Sequence, residues 1–115
     1  MKIFKRVFAP VDNVKFDKSK LEALGDEVVF VCPVAMFDDI KDRSDLFERY
    51  VHEKLHDFDI DNDIIADFGD TMIFAMMSFY IGVNHGQMNV ARYNRRNQNY
   101  TLRLVDEENG EWKNV

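Results

Sequence analysis

SDLFERYVHEKLHDFDIDNDIIADFGD, residues 44–70, is the stretch from which the fold of this chain is predicted. Its first half has the period of an amphipathic helix: at about 100° per residue, one apolar stripe collects Phe47, Tyr50, Val51, Leu55 and Phe58. Ser44 suits the N-cap, because its hydroxyl can accept a hydrogen bond from a free N–H of the first turn. The spacing predicts a main helix over residues 44–57 that packs by this stripe on one face of a sheet.

The same helix contains HEKLH, residues 52–56, which has the H-E-x-x-H spelling of the zincin metalloproteases. In that motif His52 and His56 would share a Zn²⁺, and Glu53 would act as general base on the metal-bound water. His85 is the remaining histidine and the candidate third ligand. Both helix histidines lie opposite the apolar stripe, and no third-ligand pattern follows them. We therefore expect a solvated helix face without a cofactor, and keep a zinc-dependent hydrolase as the alternative.

A row of aspartates follows the helix, in which acids alternate with other residues as D-F-D-I-D-N-D-I. A period of two indicates an extended segment with one wet face, which would space its carboxylates about 6–7 Å apart, much like phosphates along a nucleic-acid strand. Calcium-loop frames fit poorly, since other residues occupy the glycine position or the terminal glutamate position. The candidate partner-binding residues are Asp57, Asp59, Asp61, Asp63, Asp67 and Asp70.

Charge is concentrated in this part of the chain. Residues 38–70 hold four Lys/Arg and twelve Asp/Glu, a net charge of −8, whereas the whole chain carries −6. Such a block repels phosphates and argues against nucleic acid as a direct partner. It favours a basic surface on another protein, which long-range attraction would bring in faster. The leading hypothesis is a small, acidic, non-enzymatic interaction protein. One form of this hypothesis is an inhibitor that mimics nucleic acid and binds a basic surface of its partner.

A small-ligand-binding domain, with a pocket between helix and sheet, is a further alternative for which the sequence offers no specific residue.

A basic, aromatic segment covers residues 92–103, with four arginines and two tyrosines. Such a hairpin can bind single-stranded nucleic acid by stacking and charge. We favour the simpler interpretation, an exposed turn that offsets the acidic block.

Length and composition predict one domain over residues 1–115, with 46% hydrophobic residues to build its core. The single cysteine, Cys32, lies in an apolar run and is expected to be a buried core residue in a reducing compartment. No run reaches the roughly 18 apolar residues of a membrane span. The first residues do not resemble a signal peptide, so we expect a cytoplasmic protein with no membrane partner.

The remaining segments predict an α+β fold with an antiparallel sheet of four or five strands. A short helix is expected near residues 18–24, with Asp17 as its cap and Gly25 at its end. The run 71–81 is the most apolar of the chain, and we predict it to be a long central strand, with a helix as the alternative. Exposed sheet edges would allow a homodimer. The other predicted strands cover 1–9, 27–31 with an extension over 34–37, 88–94, 99–105 and 111–115, with a hairpin turn at 106–110.

Overall fold

The computed structural model describes residues 3–13, 15–33, 44–106 and 112–114. Strands and helices alternate through most of this part of the chain. The strands are β1 (Phe4–Val11), β2 (Gly25–Cys32), β3 (Asp63–Ala66), β4 (Gln87–Asn94), β5 (Asn99–Asp106) and β6 (Trp112–Asn114). The helices are α1 (Ser19–Glu22), α2 (Ser44–Leu55) and α3 (Thr71–His85).

The strands form one mixed sheet in the order β2-β1-β3-β4-β5-β6. β1 is parallel to both of its neighbours, β2 and β3, and β3 is parallel to β4. Only β4–β5 and β5–β6, among the described strand pairs, are antiparallel. The predicted α+β class is confirmed, but the prediction of an antiparallel sheet is wrong, since three of the five described strand pairings are parallel. Helical crossovers join the first four strands, and a parallel pair needs such a crossover instead of a tight turn.

Helices cover both faces of the sheet. α2 and α3 pack on one face, where the sheet supplies Phe8, Val31, Ile65 and Val90. α1 packs on the other face with Leu21, against residues of β1, β3, β4 and β5: Val7, Ala9, Ile64, Ala66, Ala91 and Leu102. Successive residues of a strand point to opposite faces, so each parallel strand contributes to both cores.

The main helix matches its prediction. Phe47, Val51 and Leu55 are buried along one side of α2, and Phe58 is buried just beyond it. The helix ends at Leu55, two residues before the predicted end. A short helix is also confirmed, as the single turn α1. Its N-cap is Lys18 and not the predicted Asp17, although the Ser19 N–H donates to the Asp17 carboxylate over 2.9 Å, and Gly25 begins β2 instead of following the helix end.

The apolar run from residue 71 is helix α3, so the prediction of a central strand is wrong. Asp70 caps it: its carboxylate accepts from the Ile73 N–H over 2.8 Å. The last helical hydrogen bond runs from the Gly86 N–H to the Gly82 carbonyl at 2.9 Å, and the left-handed φ of 68° at Gly86 then turns the chain out of the helix. The helix bears apolar residues on its outer as well as its inner side, and this removed the period that separates helix from strand.

The other strand predictions hold within a few residues. Strands are present near 27–31, 88–94, 99–105 and 112–114, and β2 lies at the sheet edge, as Pro33 indicated. β1 runs from Phe4 through Pro10 to Val11, beyond its predicted end. The extension over 34–37 and the turn at 107–110 lie outside the described residues. Within the described ranges, no helix is both long and apolar enough to cross a bilayer.

Candidate functional site

The aspartates after α2 do not form an extended row, so that prediction is wrong. The N–H groups of Asn62 and Asp63 both donate to the Asp59 carbonyl, which makes a tight turn before β3. The Asp59 carboxylate accepts from the Asp61 N–H at 3.0 Å and from the Asn62 side chain at 2.6 Å. These hydrogen bonds lower the pKa of Asp59, with the Asn62 bond as the main cause. Aspartate and asparagine stabilise turns by such local bonds, and here they override the period of two.

Asp63 is a structural residue at the start of β3. Its side chain is only 1% exposed and accepts from Arg6 Nη2 at 2.7 Å, Arg6 Nε at 3.2 Å and the Asp59 N–H at 2.9 Å. Arg6 also reaches the exposed Asp57 carboxylate at 3.1 Å and the Asp57 carbonyl at 2.8 Å. The Arg6 hydrogen bond holds the pKa of Asp57 below its ordinary value. Arg6 therefore ties the turn to the centre of the sheet.

Asp67 and Asp70 lie at the other end of β3, roughly 13 Å along the strand from Asp63. The six candidate aspartates consequently do not share one surface. Asp57, Asp59 and Asp61 are the exposed ones at the amino end. Binding of a basic partner protein stays a prediction, now confined to these three side chains.

Each of the three histidines contacts a different part of the structure. The His52 ring meets the Tyr80 ring edge-on, with centroids 4.8 Å apart, and the His85 ring lies 5.9 Å from that of Phe58. His56 follows the end of α2, and its Nδ1 is 2.8 Å from the Glu53 carbonyl. No group of three or more His, Cys, Asp or Glu side chains suited to a metal occurs among the described residues. The HEKLH string does not assemble a zinc site with His85.

A cleft of about 540 Å³ opens at the carboxyl ends of the parallel strands. One wall of the cleft is the segment between β3 and α3. The other walls are the loop that leads into α1, together with α1 itself, and the β4–β5 turn. The chain passes from β1 to β2 on one side of β1, and then to β3 on the opposite side of β1. The direction of the strand order therefore reverses between β1 and β3, at the edge where the cleft lies. Ligands of open α/β sheets bind in the crevice outside the carboxyl ends at such a switch point. Its lining includes Phe16, Lys20, Asp67, Tyr93, Arg95 and Tyr100.

Two pairs of aromatic rings shape the cleft. Phe16 meets Phe68 edge-on with centroids 6.0 Å apart, and Tyr93 meets Tyr100 across β4 and β5 at 5.5 Å. Phe68 is buried, whereas Phe16 is 54% and Tyr93 41% exposed. The two exposed rings are therefore available to a ligand.

Asp67 is the carboxylate of the cleft that is open to a ligand. Its backbone is fixed, since the N–H donates to the Ala91 carbonyl at 2.9 Å and the carbonyl accepts from the Tyr100 hydroxyl at 3.3 Å. Among the described residues, no hydrogen bond reaches its carboxylate, whereas Asp17 and Asp70 are engaged at helix starts. Burial raises the pKa of Asp67, and the charge of Arg92 opposes that shift. Burial also raises the pKa of Tyr100, which stays a neutral hydroxyl.

Gly69 allows the loop between Asp67 and Asp70 to lie against β1. Its φ is +91°, and a Cβ at this position would stand 2.5 Å from the Val11 carbonyl oxygen. Only glycine combines this conformation with so close an approach of two backbones. The loop geometry therefore sets where the Asp67 and Asp70 carboxylates stand relative to the strand ends.

Comparison of the chain with protein-family models, curated proteins and solved structures finds no significant match.

The sequence pattern does not mark most of the cleft residues as a site. Asp67 and Asp70 were candidates for a different role, and Tyr93, Arg95 and Tyr100 belonged to the basic, aromatic segment. Phe16 and Lys20 carried no signal of their own. The missing signal was the alternation of strands with helices, which predicts parallel strands and directs attention to residues just after each strand.

Proposed function

We propose that this protein is a small-molecule-binding domain whose cleft takes a mononucleotide. The observation that carries the proposal is the desolvated Asp67 carboxylate, held among aromatic rings at the carboxyl edge of the sheet. A carboxylate in this setting attracts N–H donors, because burial has removed part of its water and none of the described residues donates a hydrogen bond to it. The volume of about 540 Å³ lies in the range of small-molecule sites.

The lining matches the three chemical parts of a nucleotide. The exposed faces of Phe16 and Tyr93 offer stacking surfaces to a planar base, as aromatic side chains do for single nucleotides of bound strands. Asp67 accepts from the amino or imino groups on the edge of that base. Lys20 and Arg95 are exposed cations on the cleft lining and pair with the phosphate. The acidic side chains that repel a long nucleic acid do not prevent one phosphate from meeting two cations.

Isothermal titration with AMP, GMP, CMP and UMP tests the proposal. We expect at least one of them to bind with a dissociation constant of about 10 µM to 1 mM. Asp67→Asn should weaken binding at least tenfold, about 1.4 kcal/mol, because the amide lacks the charge and presents one acceptor oxygen. Asp61→Asn, a matched change of an exposed aspartate at the opposite end of β3, should leave binding unchanged.

Arg95→Ala distinguishes the contribution of the phosphate to binding from that of the base. It should weaken the nucleotide by about tenfold and leave the corresponding nucleoside unaffected, because only the former has a phosphate to lose. Absence of binding for all four nucleotides, or equal binding by wild type and Asp67→Asn, would contradict the proposal.

Asp67→Asn is also expected to stabilise the free protein near neutral pH, by about 0.5 kcal/mol. The pKa of Asp67 is raised in the folded state, so between the unfolded and folded pKa values the folded state binds more protons. Stability therefore falls as pH rises through that window, and the asparagine variant lacks this loss. Urea unfolding at pH 4 and pH 7 measures it: the variant should gain over wild type at pH 7 and not at pH 4. A variant that is less stable at pH 7 would show that the charge is compensated.

A further inference from the structure

Helix α3 has an outer face that is apolar and open. Met72, Phe79 and Val83 are 63%, 75% and 66% exposed, respectively. With the exposed Ala75 and the partly exposed Met76, they form a stripe at spacings of three and four residues. This stripe runs about 16 Å along the helix. The opposite side, with Ile73, Met77 and Ile81, is fully buried in the core. The helix therefore has two apolar sides, of which the fold covers one.

The absence of charge makes this face unlike the rest of the surface. The chain is 31% charged, yet none of the fifteen residues of α3 is Lys, Arg, Asp or Glu. Beside the stripe, a groove of about 350 Å³ separates α3 from α2, with Glu48 and His52 on its far wall. Depletion of charge, enrichment in Phe, Met and Tyr, and a polar rim are the composition of the centre of a protein interface.

We propose that α3 is a dimer interface, with the outer face of one copy packed antiparallel against the same face of a second copy. A two-fold axis between Met77 and Ser78 would place Met72 opposite Val83 of the second copy. It would also place Met76 opposite Phe79, and Ala75 opposite Tyr80. Each pair sets a smaller side chain against a larger or flexible one, so the face complements itself. An antiparallel pair also brings opposite ends of the two helix dipoles together.

The area fits a dimer centred on this helix. The stripe exposes on the order of 400 Å² of apolar surface, which is the size of the largest apolar patch on a typical monomer, and such patches often are interaction sites. A standard interface buries about 800 Å² on each partner, so the stripe would form the apolar centre and the groove-lining side chains of α2 the rim. A lipid surface fits less well, because membrane-bound amphipathic helices carry Lys and Arg beside the apolar face and α3 has neither.

The mass in solution tests the proposal. Sedimentation equilibrium of the wild type over about 1–300 µM should show a dimer of twice 13.6 kDa that dissociates on dilution. Phe79→Glu should raise the dissociation constant more than about 30-fold, since it places two carboxylates in the apolar centre. Because Phe79 is 75% exposed, the variant should keep the wild-type unfolding curve measured at a concentration where both are monomers. Ile3→Glu, an equally drastic change at an exposed apolar residue beside β1, should leave the dimer intact.

Mixing two variants tests the pairing itself. Met76→Lys and Phe79→Glu should each be monomeric alone. Mixed together they should form a heterodimer, because the introduced lysine of one chain would face the introduced glutamate of the other, while the second Met76–Phe79 pair stays intact. A mixture that remains monomeric would overturn the antiparallel arrangement.

Two other outcomes would overturn the proposal as a whole. One is a wild type that is monomeric throughout the concentration range, whether or not it binds phosphatidylcholine–phosphatidylglycerol vesicles. The other is a dimer that survives Phe79→Glu, because its contact would then lie elsewhere, for example at a sheet edge.

Discussion

Replacing Arg6 by leucine is expected to lower the free energy of unfolding by about 3 kcal/mol, because it leaves the Asp63 carboxylate charged and buried without its counter-ion. Asp63 is 1% exposed and, among the residues that the structure describes, would retain only the Asp59 N–H as a hydrogen-bond partner. The lost arginine also removes the link to Asp57 at 3.1 Å. For a domain of this size the melting temperature should fall by about 10 °C.

Urea unfolding followed by circular dichroism measures this loss. Lys5→Leu is the matched control, since Lys5 precedes Arg6 on β1 and is exposed. It should change stability by no more than about 0.5 kcal/mol. Equal stability of the two variants would mean that water replaces the arginine at Asp63.

Gly69→Ala is the second change with a large expected effect, a loss of about 3 kcal/mol. The alanine would have to hold a φ of +91°, and its Cβ would stand 2.5 Å from the Val11 carbonyl oxygen. The nearest of the neighbouring atoms is a backbone oxygen, and the Val11 Cγ1 atom would also stand 2.9 Å away, so relief requires the loop to move away from the end of β1. The movement would displace Asp67 as well, so nucleotide affinity should fall together with stability.

Gly82→Ala is the control for the same chemical change. Its Cβ would meet Met88 at 3.7 Å, an ordinary contact, and Gly82 lies within α3. Alanine has the higher helix propensity by up to about 1 kcal/mol, so this variant should be as stable as wild type or more so. Thermal unfolding of both variants decides the matter. A neutral Gly69→Ala would show that the loop shifts freely.

The predictable elements are those with one solvent-exposed side and one buried side. α2 and the β4–β5 pair each alternate apolar and polar residues with a clear period, and their positions follow from it. The sequence pattern does not identify α3 as a helix, because both of its sides are apolar, one towards the sheet and one open. Periodicity reports the contrast between two sides of an element, and where this contrast vanishes the pattern cannot separate helix from strand.

The site was harder to predict than the elements. The residues of the cleft come from four separate stretches, near positions 16–20, 67–71, 93–95 and 98–100. They meet only because β1, β3 and β4 are parallel, which local sequence does not state. Asp63 shows the same limit. Within the aspartate row it looks like its neighbours, and only a partner 57 positions away distinguishes it as buried.

The pairing of β1 with β3 has a consequence for how the chain folds. Arg6 and Asp63 face each other in register across 57 positions, whereas β4 and β5 are joined by a short turn. Loop-closure entropy makes contacts distant in sequence slow to form, so the β4–β5 hairpin can assemble early and the middle of the sheet closes late. Until then Ile64 and Ile65 have no sheet to cover them, and this central strand is the segment most exposed to aggregation while the protein folds.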